Sequence, residues 1–80
     1  MFGDEGCRYL AKIRADNLKS INLCNNNIGS EGCFHLSEAK WPILSTIDLG
    51  NNRIGEKGCN NIMRTSWNII NLHLCHIQLK

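Results

Sequence analysis

Leu44-Ser45-Thr46-Ile47-Asp48-Leu49-Gly50-Asn51-Asn52-Arg53-Ile54-Gly55-Glu56-Lys57-Gly58-Cys59 decides the fold, because the chain carries the pattern twice. The near copy is Leu18-Lys19-Ser20-Ile21-Asn22-Leu23-Cys24-Asn25-Asn26-Asn27-Ile28-Gly29-Ser30-Glu31-Gly32-Cys33. Leu18 and Leu44, Leu23 and Leu49, Asn26 and Asn52, and Gly32 and Gly58 are each separated by 26 residues. A constant period of this size marks a stacked-repeat architecture, in which a unit covers its apolar face only with its neighbours. Phe2, Gly3, Gly6 and Cys7 repeat the tail of the pattern one step earlier. Residues 2–17 therefore read as a partial unit, 18–43 and 44–68 as complete units, and 69–80 as a partial, degenerate one, all within a single segment spanning 1–80.

Each unit divides into an extended half and a helical half. Alternation of apolar and polar residues predicts short strands over 20–24, 46–50 and 71–75. It turns Ile21 and Leu23, Ile47 and Leu49, and Leu72 and Leu74 inward, and the residues between them outward. After each Gly-x-x-Gly-Cys, Cys7 with Leu10, Cys33 with Leu36 and Cys59 with Ile62 recur at helical spacing. Asp4, Ser30 and Glu56 are expected to open these helices, where the exposed donors and positive end of a helix favour an oxygen. Pro42, after Trp41, ends the second helix and returns the chain toward a strand. Since every strand is followed by a helix, successive strands pair in parallel.

The third copy departs from the period. Trp67 keeps the 26-residue step from Trp41, but Ile69, Leu72 and Leu74 fall 25 residues after Leu44, Ile47 and Leu49. One residue is missing from the turn, and Ile77 stands where Asn26 and Asn52 lead.

Leu-x-x-Ile-x-Leu-x-x-Asn-x-Ile-Gly at 18–29 and 44–55 resembles the leucine-rich repeat consensus. The following Gly-x-x-Gly-Cys and helix are similar to the intracellular, ribonuclease-inhibitor-like subclass. The resemblance implies an α/β solenoid, a right-handed horseshoe segment with a concave parallel sheet and short convex helices. It also implies that Asn26 and Asn52 form a structural ladder bridging backbone groups between turns. The family mostly binds other proteins, so the resemblance implies a protein partner and neither catalytic residues nor a cofactor.

Composition narrows the alternatives. The chain has 80 residues, a formal charge of +2 and basic residues scattered among acidic ones, which offers no basic patch for nucleic acid or an anionic membrane. No apolar run reaches the length of a membrane span. Five cysteines, an odd number, argue against a closed disulfide framework. The start of the chain lacks the basic and apolar regions of a secretory signal, so a cytoplasmic setting is expected. The incomplete first unit is read as a sign that the chain is a fragment of a longer array. Without caps, self-association through the open ends is expected.

Several local motifs invite sharper readings. Gly50 to Lys57 approaches a phosphate-binding loop, but Glu56 stands where the lysine should follow the second glycine, and the upstream copy lacks the lysine. Cys7, Cys33 and Cys59 recur once per unit and read as small core residues. Cys24 and Cys75 share a column with Gly50 between them. Two strand spacings of about 4.8 Å put them about 9.6 Å apart, beyond the roughly 7 Å that a disulfide spans, so free thiols are expected. His73, Cys75 and His76, near Asp48, are too few and too divergent for a zinc site. No serine nucleophile or oxyanion hole accompanies the His73–Asp48 pair, so no catalysis is expected either. Lys12, Glu38 and Arg64 share one repeat position and are expected to stack alternating charges on a solvated helical face.

What remains is a polar strand face. Asn22, Cys24, Thr46, Asp48, His73 and Cys75 are the expected partner-binding residues, and protein–protein recognition is the expected function. The alternatives are a regulatory segment, inhibitor or activator, of a larger enzyme or ligase complex, or a structural spacer in a longer repeat array.

Overall fold

The computed structural model describes residues 3–65, 67 and 71–73. Helices and strands alternate along the chain: α1 (Gly3–Leu10), β1 (Ser20–Asn22), α2 (Ser30–Ser37), β2 (Thr46–Asp48), α3 (Gly55–Met63) and β3 (Asn71–His73). The three strands form one parallel sheet in the order β1-β2-β3. α2 lies between α1 and α3 as β2 lies between β1 and β3. The protein is thus an α/β fold, with strands in one layer, helices in another and a common core.

Register carries the sequence period into space. Ser20, Thr46 and Asn71 are Cα partners across the sheet, as are Ile21, Ile47 and Leu72, and Asn22, Asp48 and His73. The first step is 26 residues and the second 25, so the shortened step lies outside the strands and leaves pairing in register. The strands are shorter than the alternation predicts, each ending at its third residue. In β1 and β2 a side chain ends the strand. The Asn22 Oδ1 accepts the Cys24 N–H at 3.0 Å, and the Asp48 Oδ1 accepts the Gly50 N–H at 3.0 Å. An Asx side chain bonded two residues on turns the backbone out of the strand path. The loops that follow place Asn25, Asn27 and Asn51 at φ of 58°, 56° and 57°. Asparagine adopts this left-handed region at less cost than most residues.

The core draws on both layers. Leu44, Ile47, Leu49, Ile28, Leu36, Cys7 and Cys33 are fully buried. Helices α1 and α2 meet so closely at Gly32 that a Cβ there would lie 2.5 Å from the Asp4 Oδ1 and 2.8 Å from the Ile28 Cγ2. Trp41 and Trp67 stack at 5.6 Å between ring centroids and 19° between planes. Their Nε1–H groups donate to the carbonyls of Ile13 at 3.0 Å and Ala39 at 3.5 Å, so each indole closes the turn of the preceding unit.

Two expectations about charged residues are corrected. Asp4 lies in the first turn of α1, but its carboxylate caps the neighbouring helix, accepting the Gly29 N–H at 2.6 Å and the Gly32 N–H at 3.0 Å. The close contact at Gly32 brings that carboxylate nearer to the open donors of α2 than to those of its own helix. The charge stack of Lys12, Glu38 and Arg64 is not formed. Among the described residues the ion pairs are Arg8–Glu5 at 2.8 Å and Arg14–Asp16 at 3.2 Å. Glu38 and Arg64 sit just past α2 and α3 as C-cap residues and are exposed, so water screens them. Among the described residues no helix is long and apolar enough to cross a membrane.

Candidate functional site

Pairing in register sets Asn22, Asp48 and His73 side by side at the ends of the three strands, with Ser20, Thr46 and Asn71 in the row before them. Alternation turns Asn22, Thr46 and Asp48 away from the core face that holds Ile47 and Leu49. Asn22 is exposed, whereas Thr46 and Asp48, on the central strand, are half-buried.

Asp48 links the two rows of the site. One carboxylate oxygen holds the Gly50 N–H, as described above. The carboxylate also accepts the Cys24 thiol proton, and this bond is the main reason the thiol is held above its ordinary pKa. Cys24 is half-buried and free, bonded to no other cysteine. A thiol held protonated is a poor nucleophile, so this pair reads as a hydrogen-bonding surface. His73 is placed by its backbone in β3, and Cys75 and His76 lie outside the described residues. Among the described residues no three His, Cys, Asp or Glu side chains converge to hold a metal.

Beneath this face, Asn52 ties the loops together. Its Oδ1 accepts the backbone N–H groups of Asn26 and Ile28, both at 2.9 Å. Its Nδ2 donates to the carbonyls of Leu23 at 2.9 Å, Leu49 at 2.9 Å and Gly50 at 3.2 Å. Asn52 is the buried polar side chain among the described residues, and the bridge gives every polar atom of its carboxamide a partner. Asn26 occupies the equivalent position in the first loop, where its Nδ2 donates to its own loop at the Cys24 carbonyl at 2.9 Å. It is only half-buried.

The helical cysteines lie in the core. Burial pushes the Cys7 and Cys33 thiols up to about 12, and it also raises Cys59, which is half-buried. Neutral thiols in apolar surroundings serve packing.

Two concavities lie away from the strand face. A cleft of about 720 Å³ runs beside the stacked indoles, lined by Arg14, Asp16, Glu38, Lys40, Trp41 and Trp67 among others. A shallower groove of about 480 Å³ runs between α2 and α3, past Phe34, Lys57 and Arg64. The sequence signal for the first was the tryptophan recurring at the repeat step, and the second had none. Neither brings together a nucleophile, a base and an anion-stabilising group.

Comparison with protein-family models finds no match, and comparison with curated proteins finds none.

Proposed function

We propose that this chain is a segment of a leucine-rich repeat solenoid, and that the polar face of its sheet binds a protein partner. The observation that carries the reading is the in-register row of outward positions on three parallel strands, Ser20–Thr46–Asn71 and Asn22–Asp48–His73. Such rows present regularly spaced polar groups on a rigid support, a surface suited to reading another protein's side chains. The Asn52 bridge, the period of 26 residues and the helix after each loop support the repeat class. Asn22, Cys24, Thr46, Asp48, His73 and Cys75 are the proposed contacts. A cytoplasmic location belongs to the same reading.

A photo-crosslinking amino acid at Asn22, compared with one at Glu31 on α2, tests it. Adducts to one defined protein from position 22 and not from 31, diminished by Thr46→Arg, are expected. Equal adducts from both positions, or binding untouched by Thr46→Arg, would overturn it. Asp48 is a poor place for the disruptive change, because its carboxylate also holds the Gly50 turn.

A further inference from the structure

The two layers are staggered by half a unit. The chain runs helix first and strand last, so α1 has no strand before it, and β3 has no helix after it among the described residues. Among the described residues β1 pairs only with β2, and α1 packs only on α2. Burial records the deficit position by position. Leu44, Ile47 and Leu36 are fully buried, while Leu18, Ile21 and Leu10, one unit earlier, are only half-buried. At the other end Cys59 is half-buried where Cys33 is sealed.

The covered form of this open face therefore exists inside the molecule. β2 with α2 shows what β1 with α1 lacks, a parallel strand of polar-apolar-polar sequence set beside it in register. β3, Asn71-Leu72-His73, is a strand of that chemistry, and it already pairs in that way with Thr46-Ile47-Asp48. The backbone edge is open as well. The Lys19 carbonyl accepts from Ser45 and Thr46, and the Leu23 N–H donates to the Asp48 carbonyl, so these odd positions face β2. By alternation, the N–H and C=O groups of Ser20 and Asn22 face the open side.

We propose that the β1/α1 end of one copy docks the β3/α3 end of a second copy, head to tail. β3 pairs in parallel with the free edge of β1, setting Asn71 beside Ser20, Leu72 beside Ile21 and His73 beside Asn22. α3 takes the place beside α1 that α1 takes beside α2. One half-layer completes the other, and Leu18, Ile21 and Leu10 gain the cover that Leu44, Ile47 and Leu36 have. A head-to-tail contact of this kind does not close on itself, so association extends with concentration. The inference rests on the stagger of the layers and stands whether or not the polar face binds a partner.

Sedimentation of the whole chain over a concentration series, joined to register-specific crosslinking, tests it. Association is expected to raise the average mass by about twofold or more as concentration rises, with no plateau at a dimer. Ser20→Pro, which removes an edge donor while leaving the bonds to β2 in place, is expected to hold the chain at monomer mass. Paired strands lie about 4.8 Å apart, inside the roughly 4.4–6.8 Å window for a disulfide. In a Cys24→Ser, Cys75→Ser background, Ser20→Cys with Asn71→Cys is therefore expected to give a ladder of oxidised multimers. Ser37→Cys with Asn71→Cys is expected to give none. Monomer mass at every concentration, or equal ladders from both pairs, would overturn the proposal.

Discussion

β2 and its loop repeat β1 and its loop almost residue for residue, yet the two regions are built differently. Leu44 and Ile47 are sealed where Leu18 and Ile21 are half-open, and Asn52 is buried where Asn26 is half-exposed. Asn52 reaches back to the Leu23 carbonyl and to the N–H groups of Asn26 and Ile28, while the Asn26 amide turns to its own loop. The helices show the same contrast half a unit later, with Cys33 sealed in α2 and Cys59 half-open in α3. Identical side chains thus carry different energies according to the layer beside them. That is the expected behaviour of a fold whose units gain stability from nearest neighbours.

The comparison can be broken most severely at the asparagines. Asn52→Ala strands two buried donors and three carbonyls, and the expected loss is about 3–5 kcal/mol at about 1–3 kcal/mol for each buried group left unpaired. A chain this size has about 4–12 kcal/mol in all, so urea denaturation should show Asn52→Ala near or past the edge of folding. Asn26→Ala, losing one half-buried bond, is expected to cost about 1 kcal/mol. Equal losses would show that the bridge between units is not what separates the two loops.

A smaller contrast is expected between the leucines. Leu44→Ala opens a cavity in the core and should cost about 2–5 kcal/mol, against about 1 kcal/mol for Leu18→Ala, whose side chain already meets water. Denaturation midpoints of the two variants measure the difference.

The smallest effect concerns the thiols. Burial holds the Cys33 pKa up to about 12 in the folded chain, with the nearby Cys7, Cys59 and Asp4 adding to it. The unfolded thiol ionises near its ordinary value of about 8.5. The folded state binds the proton more tightly, so this contribution is complete below about pH 8.5 and is lost as pH rises toward about 12. Denaturation midpoints should therefore fall between pH 8 and 11, and Cys33→Ala should flatten that fall more than Cys59→Ala does. An unchanged slope in Cys33→Ala would assign the alkaline loss to other groups.

Much of the fold was legible in the sequence because its signals are periodic. The 26-residue step located α2, α3 and the centres of all three strands, and the alternation within 20–24 and 46–50 named the apolar positions facing the core. Strand length was not legible. Whether Asn22 and Asp48 extend a strand or end it depends on their side chains reaching the N–H two residues on, a local competition that alternation does not register. The capping role of Asp4 was misassigned for a related reason, since its partners, Gly29 and Gly32, come close only once two helices pack. In the candidate site, the columns of Asn22 with Asp48 and of Ser20 with Thr46 followed from the repeat. The bond from Cys24 to Asp48 did not, because it crosses between strands.

By itself the sequence determined the period, the order of helix and strand, the inward residues and the parallel pairing, all consequences of spacing along one chain. The tertiary structure alone decided how deeply each repeated residue is buried, which helix each carboxylate caps and which asparagine bridges two units. Those properties depend on what lies across a layer, and a residue's own position in the repeat is the same whether its neighbour is present or absent.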